Sequence, residues 1–126
     1  MNVVDSSGWL EYFAAEANAD FFAPAIEHPQ TLIVPTVSIY EVFKRVYSQK
    51  GVDDALKITA QMAQGQVVDL TMPLALQAAK LSSTHKLSLA DSLILATAQW
   101  YQATLWTQDE HFKNVPGVRY VPKPKA

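Results

Sequence analysis

Short apolar runs rich in β-branched residues alternate with helical stretches along this chain, and that alternation constrains the fold more than any other feature. The runs are Met1–Val4, Thr31–Val34, Gln66–Leu70, Thr104–Trp106 and Val118–Val121. Between them the apolar residues recur at helical spacing. Helices are expected over Trp9–Ala17, from an Asn18 cap to Glu27, over Pro35–Lys50, Val52–Gln64 and Thr71–His85, and over Leu89–Gln102. Punctuation residues support these limits: His28-Pro29, Gly51 and Gly65 stop helices, and Pro73 suits a first turn. Strands separated by helices imply a mostly parallel sheet. The expected architecture is a three-layer α/β/α sandwich with about five short strands flanked by helices. At 126 residues, 49% of them hydrophobic and only four glycine, the chain reads as a single globular domain over residues 1–126, with a frayed tail at 122–126.

Composition also closes off some chemistry. The absence of cysteine excludes disulfides, thiolate metal sites and thiol nucleophiles. His28, His85 and His111 lack zinc-ligand spacing and read as surface or loop residues. No nucleophile-elbow pattern surrounds Ser6 or Ser7. The N-terminus enters a strand at once, without the features of a signal peptide, and no apolar run approaches the ~20 residues that span a bilayer. A cytoplasmic protein with no membrane segment is therefore expected. The net charge of −2 gives no global basic field for nucleic acid, so such contacts would fall on local cations: Lys44, Arg45 and Lys50, or Lys123 and Lys125 in the tail.

Four acids, Asp5, Glu41, Asp91 and Asp109, each lie where a strand ends or a helix begins. In an open α/β sheet, ligands bind beyond the carboxyl ends of the strands, which is where Asp5 would point. Each acid also has an ordinary explanation. Ser88-Leu89-Ala90-Asp91 and Thr107-Gln108-Asp109-Glu110 fit capping boxes, and Glu41 could sit on a solvated helix face. Asp5 resists such an account, because a carboxylate ending a buried strand is costly to desolvate and no cation lies within four residues of it. Carboxylates brought close together repel one another unless a cation offsets them. All-oxygen sites suit hard ions such as Mg²⁺ or Mn²⁺, which bridge to phosphate oxygens, so phosphoryl transfer is the implied chemistry.

Val3-Val4-Asp5-Ser6-Ser7, Glu41 early in its helix, the run Leu87 to Ala98 containing Leu-x-x-Ala-Asp, and the block Leu105 to Phe112 containing Thr-x-Asp-x-x-Phe resemble the PIN-domain family. They are most similar to the VapC-type toxins of bacterial toxin–antitoxin modules. The resemblance spans essentially the whole chain and implies a Mg²⁺- or Mn²⁺-dependent endoribonuclease that leaves 5′-phosphate and 3′-hydroxyl ends. It assigns Asp5, Glu41, Asp91 and Asp109 to the catalytic quartet, with Asp5, Asp91 and Asp109 on the metal. Glu41 completes the shell or positions water, and Ser6 and Thr107 support the site. It further implies an RNA substrate, a cognate antitoxin lying along an apolar groove, and a homodimer. Trp9, Tyr12, Phe13, Phe21 and Phe22 are the residues expected to form that groove. Two rival readings are a catalytically silent PIN-like module that binds a partner protein, and a receiver domain. The receiver would need an acceptor Asp after its third strand and a Lys near its last, whereas Asp69 is read as lying inside the strand.

Overall fold

The computed structural model describes residues 1–124. Its strands are β1 (Asn2–Val4), β2 (Ile33–Pro35), β3 (Gln66–Val68), β4 (Thr104–Thr107) and β5 (Val118–Tyr120). Its helices are α1 (Ser6–Phe13), α2 (Ala19–Ile26), α3 (Thr36–Lys50), α4 (Val52–Met62), α5 (Met72–His85) and α6 (Leu89–Trp100). Every strand pair is parallel, β1 with β4, β4 with β5 and β2 with β3. A parallel bridge between Asn2 and Leu32 joins the two groups into one sheet of order β3-β2-β1-β4-β5. Among the described residues no helix is long and apolar enough to cross a membrane.

Both faces of the sheet are covered, which is why its strands read as unbroken apolar runs. Side chains alternate between the layers: Val3, Ile33 and Leu105 join the core under α5 and α6, while Val4, Val34 and Trp106 join the core under α1 to α4. Helix α6 supplies seven consecutive buried residues, Ser92 to Ala98, and is the most enclosed helix.

Helix α1 starts three residues earlier than the apolar spacing suggested and ends at Phe13, short of Ala17. Asp5 is its cap, and Gly8, which the sequence Asp5-Ser6-Ser7-Gly8 suggests as part of a turn between strand and helix, lies inside it. A Cβ on Gly8 would stand 2.6 Å from Phe22 and 2.7 Å from Val4, so glycine is there for close packing. Ala15, at φ 52°, turns the chain out of the helix. Asn18 does not cap α2 with its side chain; it donates instead to Gln108 Oε1 and to the Pro122 carbonyl, both at 3.0 Å. That bond ties down the start of the segment read as a frayed tail, of which Lys125 and Ala126 lie outside the described residues. Strand β2 starts later than Thr31 because Pro29–Thr31 forms a 3-10 turn.

The receiver reading fails on topology. Receivers of the flavodoxin-like order 2-1-3-4-5 place their third strand centrally, whereas β3 is an edge strand here. Asp69 lies just beyond β3 rather than within it, and is exposed.

Candidate metal centre

The parallel register of β1 and β4 builds the deepest part of the site. Val4 pairs with Trp106, so the next residues, Asp5 and Thr107, emerge side by side at the carboxyl end of the sheet. Asp5 is buried, 2% exposed, and its carboxylate has three kinds of donor. Gly8 N–H donates at 2.9 Å as part of the α1 cap, Ser7 Oγ at 2.9 Å, and Thr107 Oγ1 at 2.5 Å. Thr107 Oγ1 in turn accepts from Asp109 N–H at 2.9 Å. One hydroxyl thus joins Asp5 to the loop that carries Asp109. The capping box proposed for Thr107 does not form: Asp109 caps the 3-10 turn Glu110–Phe112 by accepting from His111 N–H.

The other two acids come from helix starts. Ser88 Oγ accepts from Asp91 N–H at 3.3 Å, which caps α6 and sets Asp91 in its first turn. Glu41, in the second turn of α3, accepts from Ser6 Oγ at 2.6 Å. Ser6 and Thr107 therefore each hold one of the acids.

The acids lie near enough for their charges to act on one another. Burial pushes Asp5 up from the usual 3.8 to about 6, against the opposing effect of its hydrogen bonds, and the Asp91 charge adds to the rise. Asp91 is likewise raised to about 6, first by burial, then by repulsion from Asp109 and Glu41. Among the described residues no lysine or arginine comes within 4.0 Å of a carboxylate; the contact of that length is His111 Nδ1 with Asp109 Oδ1, at 3.2 Å.

His111 is the residue that sequence reasoning passed over. One oxygen each of Asp91 and Asp109 and a ring nitrogen of His111 lie within 4.8 Å of one another. The available signal was the spacing Asp-x-His: an aspartate capping a 3-10 turn brings the side chain two residues on against its own carboxylate. Asp5 and Glu41 are not part of that group of three; the two clustered carboxylates with their imidazole, Asp91 among them held near 6, make a donor set that a divalent cation would suit.

A closed polar ring braces the centre from behind. Glu11 accepts from Asn18 N–H at 2.9 Å and from Gln108 Nε2 at 3.2 Å, while Gln108 accepts from Asn18 Nδ2. Buried Gln108 sits between Thr107 and Asp109, so the ring fixes that loop.

The expected aromatic groove divides. Trp9 and Phe22 are core residues at 1% and 0% exposure and cannot line a surface. Tyr12, Phe13 and Phe21 are only half-buried. The rings pack on one another and on the sheet, Trp9 on Phe13, and Phe21 on both Phe22 and Trp106. A cavity of about 340 Å³ opens instead between α1, α3 and α4, with Leu10, Phe13, Val46 and Ile58 as its apolar lining and Glu11, Arg45 and Gln108 among its polar groups.

Comparison with known proteins gives a consistent result. The profile of the PIN domain matches residues 3–118. A toxin–antitoxin complex from Klebsiella pneumoniae contains a chain 20% identical, with a TM-score of 0.80 over 94% of this chain and 96% of that one. VapC20 of Mycobacterium tuberculosis, a toxin that cleaves the sarcin–ricin loop, is 17% identical, with a TM-score of 0.76 over 92% and 95%. DNA-bound VapBC from Salmonella typhimurium is 11% identical, with a TM-score of 0.73 over 96% of both chains. No curated protein sequence matches the chain.

Proposed function

The chain belongs to the PIN domain family, and on that premise we propose that it is a metal-dependent endoribonuclease, the toxin of a toxin–antitoxin pair. What supports this reading is the gathering of Asp91, Asp109 and His111 within 4.8 Å, with the Asp5 and Glu41 charges acting on Asp91 or acted on by it, and with no lysine or arginine among the described residues within 4.0 Å of these acids. Structures of toxin–antitoxin complexes with the same fold support the toxin assignment.

Asp5, Asp91 and Asp109 would hold the cation, Mg²⁺ or Mn²⁺, with His111 beside them. When bound, it would neutralise developing charge on a phosphodiester and lower the pKa of a water. The protein's own task is then positioning. Thr107 and Gly8 lock the Asp5 carboxylate in place, and Ser88 fixes the turn that presents Asp91. Ser6 engages one oxygen of Glu41 and leaves the other to orient the attacking water.

The antitoxin is proposed to lay apolar side chains into the cavity between α1, α3 and α4, against Leu10, Phe13, Val46 and Ile58. Leu70, Met72 and Leu76, all more than half exposed, offer apolar surface for a second copy of the chain, which light scattering would detect. Purified protein incubated with RNA tests the activity. Cleavage should require Mg²⁺ or Mn²⁺, stop with chelator, and be lost in Asp5→Asn. Cleavage that survives chelation, or wild-type rates in that variant, would overturn the proposal.

A further inference from the structure

A second cavity, of about 300 Å³, adjoins the carboxylates on the Glu41 side. Ser6 and Glu41 line it on one side, with Leu10, Tyr40, Lys44, Arg45 and Ser48 around them. Its chemistry is the reverse of its neighbour's. Lys44 and Arg45 follow Glu41 by three and four residues on α3, so they flank it on the same helix face. Neither has a carboxylate within 4.0 Å among the described residues, because Glu41 is engaged by Ser6 instead. Two unpaired cations therefore stand beside a cluster of acids.

Tyr40 adds an aromatic surface. It is 62% exposed, and the Lys44 ammonium sits 5.7 Å from its ring centroid. An exposed ring with a cation over it and another beside it is the combination that holds a nucleotide, the base on the aromatic face and the phosphate on the cations. A base can reach such a ring only when it is out of a duplex stack. A basic protein segment is a poor fit here, since Lys44 and Arg45 would repel it.

We infer that the Tyr40, Lys44 and Arg45 cavity is a nucleotide subsite for single-stranded RNA, seating an unstacked base and its phosphate next to the bond that is cut. The inference rests on the ribonuclease reading and names the residues that set substrate preference. Lys44 and Arg45 also bring the phosphate backbone toward four carboxylates that would otherwise repel it, which the chain's net charge of −2 does not do.

Fluorescence anisotropy with a labelled ten-nucleotide oligouridine, in Ca²⁺ and alongside an RNA duplex of equal length, tests it. Tyr40→Ala should weaken single-strand binding about 5- to 150-fold, the range for loss of one stacked base. Tyr40→Phe should stay within about twofold of wild type, since phenylalanine keeps the stacking face. Lys44→Ala and Arg45→Ala should each lower the slope of log affinity against log salt by about 0.7. Mn²⁺ affinity measured by calorimetry should be unchanged in all of them, which shows that the fold and the carboxylates are intact. Equal affinity in Tyr40→Ala and Tyr40→Phe, or duplex binding as tight as single-strand binding, overturns the subsite. So does a Tyr40→Ala variant that loses binding of a basic amphipathic peptide while keeping RNA. Metal-dependent cleavage with RNA affinity unaffected by these variants would remove the subsite and leave the ribonuclease. Tyr40-dependent RNA binding without cleavage would do the opposite.

Discussion

Replacing Asp5 with asparagine should make the metal-free protein more stable and at the same time abolish its response to metal. Burial raises the Asp5 carboxyl from 3.8 to about 6, so the folded state holds its proton more tightly than the unfolded chain does. Stability therefore falls as pH rises through that window, and the full penalty applies above it. At about 1.4 kcal/mol per pH unit, the penalty is about 3 kcal/mol at neutral pH. Asparagine removes the charge and keeps an oxygen for Gly8 N–H, but its amide must re-form the contact with Thr107, which now donates at 2.5 Å. Allowing about 1 kcal/mol for that rearrangement leaves a net gain of roughly 2 kcal/mol. For a chain of this length the melting temperature should rise by roughly 6–10 °C. Thermal scans at pH 7.5, 5 and 4 with chelator present should show the advantage shrinking as pH falls, because wild-type Asp5 takes up its proton. Mn²⁺ at about a hundred times its dissociation constant should stabilise wild type by about 2.7 kcal/mol and leave Asp5→Asn almost unmoved. A variant less stable than wild type at pH 7.5, or a difference that does not change with pH, would refute this account of the buried carboxylate.

Gly8→Ala should destabilise the fold by about 1–3 kcal/mol in urea titrations, since the new methyl meets Phe22 and Val4, both fully buried; unchanged stability would mean that α1 can shift outward. His111→Ala should weaken Mn²⁺ binding about tenfold and Mg²⁺ binding less, because an imidazole nitrogen favours transition metals over magnesium; equal losses measured by calorimetry would place the ring outside the ligand set. Phe13→Ser combined with Ile58→Ser should weaken capture of the cognate antitoxin without changing RNA cleavage by the free chain, and undiminished capture would move the partner away from the cavity between α1, α3 and α4.

Much of this architecture is written locally. Pro73 one residue into α5, the Ser88 cap and the Gly51 stop each act within a turn of their own helix, and all appear where sequence patterning puts them. The features that escaped depend on partners distant in the chain. Gly8 resembles a turn residue until Phe22, fourteen positions on, is seen pressing against it. Asn18 resembles a cap until Gln108 and Pro122 claim its amide. Trp9 and Phe22 have the composition of a binding surface but fill the core beneath α1 and α2, because short strands leave few other large side chains to close that layer.

The carboxylate site lies between these cases. Each acid is local to its own strand end or helix start, yet their meeting depends on strand register. Val3 faces Leu105 and Val4 faces Trp106, so Asp5 and Thr107 leave the sheet together and a single hydroxyl can bind Asp5 and the Asp109 backbone at once. A slip of one residue would separate that pair and would also move Leu105 and Trp106 to opposite layers. Leu105 fits under α6 with Phe112, and Trp106 fits against Phe21 and Phe22 on the other face. Exchanging them would open voids on one side and overfill the other, a penalty of several kcal/mol by the scale of core substitutions. The same apolar alternation that covers both faces of the sheet therefore sets the distance between its buried carboxylate and the hydroxyl that serves it.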